Sequence, residues 1–143
     1  MKLAVLRIRG RRKVRADVED TLRMLRLDRP NHCVVIDDSP QNVGMVKKVK
    51  DYVAYGAVDE ETIVKLLSRK GKKGRKDLSQ VMKEEEIRKA AKEILEGKKI
   101  VDFANPVFRL RPPSKGYKDI KKSYPEGDLG KRDDMVSLLC RMM

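Results

Sequence analysis

The chain has 143 residues, with 35 Lys and Arg against 22 Asp and Glu, a formal charge of +13. Apolar residues make up 40% of it and aromatics only 4%, without a Trp, which suffices for one modest aliphatic core. No apolar run approaches the ~20 residues that cross a bilayer. The opening residues read as a strand rather than a signal-peptide core, and Cys33 and Cys140 do not make a disulfide framework. A cytoplasmic protein with reduced, buried thiols and no membrane partner is expected.

Residues 2–9 predict a strand with Ala4, Leu6 and Ile8 on one face. Its other face passes from Leu3 and Val5 to Arg7 and Arg9 and becomes basic. Residues 14–26 carry Val14, Val18, Thr21, Leu22 and Leu25 at helical spacing. Residues 32–37 follow as a central strand, because Cys33-Val34-Val35-Ile36 implies burial on both faces. Ser39 and Pro40 suit the cap and first position of a helix reaching about Val49. Residues 52–58 predict a third strand, in which Gly56 marks a bulge or a close backbone approach. The unit is thus β-α-β-α-β over residues 1–58, its helices returning over one face by right-handed crossovers. The other face is left for contact or for the remaining chain.

Asp59 caps an expected helix over 60–69, and a helix near 83–96 ends at Gly97. Residues 107–111 predict a strand or extended segment before Pro112-Pro113. Residues 114–130 are loop-like, and Asp133 caps a last helix carrying Met135, Leu138, Leu139 and Met142. The fold class expected is α+β, a core over 1–58 with a mainly helical extension over 59–143 packed on it.

The positive charge is not spread evenly. Residues 7–15, 69–77 and 109–122 hold 18 of the 35 cations and 2 of the 22 acids, so the remaining 111 residues carry a net −3. Clustered cations neutralise phosphates and release counterions, which points to a nucleic-acid partner. Gly71, Gly74 and Gly116 allow close backbone approach, and Tyr117 between Lys115 and Lys118 suits stacking on an unpaired base. Cations on several separated loops fit a folded RNA better than a linear groove. Zinc-finger spacing, heptads behind a basic region and the aromatic strands of the common RNA-recognition module are all missing.

Catalysis has little support. His32 opens a buried strand without an evident partner, and Asp37-Asp38 belong to a turn. Neither a P-loop nor a nucleophile elbow is present. His32, Cys33 and Cys140 match no common zinc spacing, so neither metal nor cofactor is expected.

Three stretches carry a family resemblance. They are the strand into Gly10-Arg11 followed by Asp20-Thr21-Leu22-Arg23-Met24-Leu25, the run Asn31-His32-Cys33-Val34-Val35-Ile36, and Asp38-Ser39-Pro40 with Gly44-Met45 beyond it. In order and spacing they resemble the large-ribosomal-subunit protein family L-thirty (universal uL-thirty), in its long archaeal form. Phe108 through Tyr117 and the C-terminal helix are similar to the extension of archaeal members. Short members often place an arginine where this chain has Val43; Lys47 or Lys48, one turn on, is the candidate replacement. The resemblance implies a ferredoxin-like core, a place on large-subunit ribosomal RNA, contact with 5S RNA, neighbouring ribosomal proteins and no enzymatic activity.

The expected RNA contacts fall into four groups. Arg11, Arg12, Lys13 and Arg15 lie beside the first strand and helix, and Gln41, Asn42 and Lys48 flank the second loop. Lys70, Lys72, Lys73, Arg75 and Lys76 form a segment expected to order only on RNA, because like charges and glycines oppose packing. Arg109, Arg111, Lys115, Tyr117 and Lys118 lie on the extension. Two rival readings are a free RNA chaperone or processing factor of the same fold, and a small phosphate-ester or acyl-phosphate hydrolase. The latter requires Arg11 and Asn42 to converge on one loop.

Overall fold

The computed structural model describes residues 2–124 and 126–143. In chain order they form β1 (Lys2–Arg7), α1 (Ala16–Met24), β2 (His32–Asp37), α2 (Pro40–Lys48), β3 (Val53–Val58) and α3 (Glu60–Lys70). Then come β4 (Lys72–Lys73), β5 (Lys76–Asp77), α4 (Leu78–Val81), α5 (Glu84–Leu95) and a 3-10 turn (Ile100–Asp102). The chain finishes with β6 (Phe108–Arg109), β7 (Gly130–Lys131) and α6 (Met135–Met142). The fold is α+β, with a mixed five-stranded sheet in the order β6-β2-β1-β3-β7.

β1, not β2, is the central strand. It pairs antiparallel with β2 (Leu3↔Ile36, Val5↔Val34) and with β3 (Leu3↔Ala57, Val5↔Tyr55). This corrects the expectation of right-handed crossovers throughout. That rule governs parallel strands, and the β1-to-β2 connection joins antiparallel ones. β6 covers only His32 and Cys33, so the outer edge of β2 lies open beyond Cys33. Cys33 and Val34 are accordingly buried, whereas Val35 and Ile36 are half-buried, contrary to the expectation for a strand enclosed throughout.

Both sheet faces are covered. Val5, Val34 and Val53 meet Val18 and Leu22 of α1, Leu25 just after it and Val46 of α2. The wholly apolar face of Ala4, Leu6 and Ile8 meets not these helices but α3, α5 and α6, through Ile63, Leu66, Ile87, Ile94, Leu138 and Leu139. Gly56 allows α6 to approach, because a Cβ there would stand 2.6 Å from the Arg132 carbonyl oxygen and 2.7 Å from Met135 Cβ.

Capping follows local chemistry at three helix ends that the sequence marks. Ser39 Oγ accepts from Asn42 N–H at 3.3 Å, Asp59 Oδ1 from Thr62 N–H at 2.9 Å, and Gly97 with φ 122° follows α5. At α6 the N-cap is Asp134, not Asp133, and its carboxylate makes no cap hydrogen bond because Arg132 holds it. The 107–111 segment forms a strand only over Phe108–Arg109, where β2 offers a partner. Cys140 lies exposed on the outer side of α6, whereas Cys33 is buried, so only one thiol fits the expectation.

Candidate nucleic-acid interface

The first basic segment leaves the sheet at the C-terminal end of β1, and Arg7 directs it. Its side chain is fully buried on a strand position that the sequence pattern marks as turning basic and exposed. Nη1 donates to the Leu27 carbonyl at 2.6 Å, Nε to that of Arg9 at 3.1 Å and Nη2 to that of Gly10 at 3.4 Å, with the Glu19 carboxylate 3.7 Å away. Burial depresses its pKa, with the Glu19 charge opposing. Ile8 and Arg9 N–H groups donate to the Tyr52 carbonyl at 3.0 and 3.3 Å, and the Arg9 guanidinium stacks 5.2 Å from the centre of the Tyr52 ring. The loop root is therefore fixed, and Arg11, Arg12, Lys13 and Arg15 project into solvent beyond it.

The third segment reaches the same end of the sheet. β6 places Arg109 opposite His32, and Leu110 N–H donates to the Asn31 carbonyl at 3.0 Å. Asn31 N–H donates to the Arg7 carbonyl at 2.7 Å, and the Tyr117 hydroxyl donates to Asn31 Oδ1 at 2.8 Å. Asn31, in the left-handed region at φ 66°, thus joins residues from three parts of the chain. Arg109, Arg111, Lys115 and Lys118 stand exposed around it. Tyr117 is half-buried against the core, and burial pushes its hydroxyl up to about 12, with the Asp128 charge adding to the shift. This phenol is an anchor of the loop rather than a free stacking platform. Burial and then Arg109 depress the His32 pKa, which favours the neutral imidazole.

The second segment forms a hairpin in the structure rather than an irregular loop. β4 and β5 pair antiparallel with Lys72↔Asp77 and Lys73↔Lys76 in register. Gly74, at φ 66°, takes the first position of the two-residue turn, as a type II′ hairpin requires. Asn105 clamps that turn. Its Nδ2 donates to the Gly74 carbonyl at 3.1 Å, its Oδ1 accepts from Gly74 N–H at 3.4 Å, and its own N–H donates to the Lys72 carbonyl at 2.7 Å. Between the hairpin and β6 lies a cleft of about 680 Å³ lined by Arg69, Lys70, Lys72, Arg75, Asp77 and Arg109. Burial, then Arg111 and Lys72, depress the Lys70 pKa.

Of the four predicted groups, the second divides. Lys48 is exposed at the end of α2, five residues before the Val53 that pairs with Arg7. Gln41 and Asn42 lie at the opposite end of the sheet, where Asn42 Nδ2 donates to the Asp37 carbonyl at 3.0 Å and Lys2 pairs with Asp37. The length of β1, roughly 17–20 Å for such a strand, separates Arg11 from Asn42. The convergence that a hydrolase would need is not formed. Arg69, counted in the basic run but placed at the end of a helix, was not among the expected contacts, and Asn105 escaped sequence reading as a loop residue without charge. The buried pair of Arg132 with Asp128 at 2.7 Å, extended to Asp134 at 2.9 Å, was equally invisible; it ties the β7 turn to the start of α6.

Comparison with known proteins identifies the family. Residues 3–53 match the family model for ribosomal protein L30p/L7e. Over an alignment 154 positions long that covers both chains completely, the sequence is 44% identical to the large ribosomal subunit protein uL30 of Methanococcus maripaludis and 45% identical to that of Methanococcus vannielii. It is 44% identical to uL30 of Archaeoglobus fulgidus over 149 residues and 98% of each chain. With identity of this order sustained along the whole length, the chain belongs to the uL30 (L30p/L7e) family of large-ribosomal-subunit proteins, structural constituents of the ribosome rather than enzymes.

Proposed function

We propose that the chain, in the cytoplasm, binds and stabilises folded large-subunit ribosomal RNA through the basic end of its sheet and the adjoining hairpin. One observation carries this reading: three basic segments far apart in sequence meet on one side of the fold. Asn31 joins the first to the third, and one cleft joins the second to the third. A convergent cationic surface on a rigid scaffold is suited to a compact RNA, since most such contacts go to phosphates and position rather than specify. The residues assigned to RNA are Arg11, Arg12, Lys13, Arg15, Lys48, Lys70, Lys72, Lys73, Arg75, Lys76, Arg109, Arg111, Lys115 and Lys118. Tyr117 serves by holding the third loop. The family's large-subunit setting extends the partners to neighbouring ribosomal proteins and to 5S RNA.

We further propose that residues 1–58 are a ferredoxin-like core and 59–143 an extension. The strand order β2-β1-β3 with α1 and α2 on one face supports the first part, and the apolar layer shared with α3, α5 and α6 supports joint folding. Sucrose-gradient sedimentation of a native lysate tests the function. The protein is expected in the large-subunit fraction after a moderately high-salt wash; recovery wholly in the soluble fractions would remove the ribosomal assignment.

A further inference from the structure

We propose that the cleft between the β4–β5 hairpin and β6 is a single composite site for the phosphate backbone of a sharply turned RNA strand, such as a bulge, and that Asn105 is its positioning residue. This rests on the RNA-binding reading above and assigns one place within it a particular RNA shape.

The cations come from two segments more than 30 residues apart. Arg69, Lys70, Lys72 and Arg75 line one wall with the single carboxylate of Asp77, and Arg109 lines the other, around a concavity of about 680 Å³. Phosphates on a regular duplex form a broad, gently curved row that meets such a cleft only at its rim. A strand that reverses direction presents its phosphates outward on a narrow projection that fits between the walls. The described residues lining the cleft include no aromatic ring, so they offer no stacking platform, and the Asn105 amide is occupied by Gly74. The cleft is therefore built to take backbone charge and shape rather than base identity.

The hairpin also carries an electrostatic cost that a polyanion relieves. Lys73 and Lys76 are directly opposite each other in the ladder, an unfavourable pairing of like charges. Burial and its neighbours Arg111 and Lys72 also make the charged form of Lys70 less favourable. The Asn105 clamp on Gly74 and Lys72 fixes the shape of the hairpin and holds these cations together, which lowers the ordering cost of binding.

The test uses the full chain and two RNA hairpins of equal stem length, one uninterrupted and one with a three-nucleotide bulge of varied sequence. Wild type is expected to prefer the bulged RNA regardless of bulge sequence. Arg75→Ser and Arg109→Ser are each expected to weaken that binding about fivefold or more and to lower the log–log salt slope by about one unit. The double variant is expected to lose less than the product of the two, because both residues grip one strand. Asn105→Ala is expected to reduce the bulge preference although it removes no charge, with an unchanged melting profile for the rest of the fold. Equal affinity for the two RNAs, or losses that simply multiply, would overturn the composite site while leaving general RNA binding in place. Failure of wild type to bind either RNA would overturn the RNA-binding reading itself.

Discussion

Arg7 shows how one side chain can reverse the reading of a sequence. In the pattern it is the first of a run of cations; in the fold it is a buried connector between β1, the basic loop and Leu27. Arg7→Ala would leave three carbonyl groups without their donor and the Glu19 carboxylate, whose buried Oε2 makes no hydrogen bond, without its nearby countercharge. A loss of about 3 kcal/mol in urea denaturation is expected. Arg7→Lys should recover little of it, because one ammonium cannot reach the same three carbonyls in a fixed fork. Asp134 supplies a pH dependence. Its hydrogen bond from Arg132 holds its pKa below the ordinary carboxylate value, so its contribution is fully present above about pH 4 and is lost as pH falls through the folded pKa. Asp59 acts with the same sign through Thr62. Denaturation midpoints should therefore fall in acid, and Asp134→Asn should be less stable at neutral pH with a shallower acid decline.

At the level of elements, β2 separates pattern from position. Four successive apolar residues predict a strand, and one forms, but its burial is uneven because β6 is only two residues long. Val34→Asp would place an unpaired carboxylate between the sheet and the α1–α2 layer and is expected to cost on the order of 3 kcal/mol or more. Val35→Asp faces the partly open side and should cost clearly less. Equal shifts in the thermal melts of the two variants would contradict the edge geometry. The basic hairpin makes the complementary point. Its composition resembles that of disordered segments, yet a two-residue turn and a clamp from Asn105 give it a defined shape.

Across the whole molecule, charge and scaffold have separable effects. Replacing Lys70, Lys72, Lys73, Arg75 and Lys76 together with Ser should leave the melting profile nearly unchanged, since these side chains add little to the apolar layers. It should weaken binding to a large-subunit RNA fragment and flatten its salt dependence by about three units, at roughly 0.7–0.9 for each phosphate no longer neutralised. Dissociation constants at four salt concentrations check this. A weaker affinity with an unchanged slope would mean that the hairpin acts through shape or a neighbouring protein rather than through phosphate charge.

The three long strands, the longer helices, the caps at Ser39, Asp59 and Gly97 and the identity of the basic segments were legible in the residues, because each is decided by short-range chemistry. Ser39 and Asp59 cap through atoms three residues away, Gly97 supplies the positive φ after α5, and apolar spacing sets the period of each strand and helix. What the sequence left undecided were the relations among elements. Strand order, the open edge of β2, the burial of Arg7 and the separation of Asn42 from Arg11 all depend on which distant surfaces meet. The union of Arg69, Arg75 and Arg109 in one cleft is of the same kind. A cation looks alike in sequence whether it faces solvent or three carbonyl groups, and only packing both faces of the sheet decides between them.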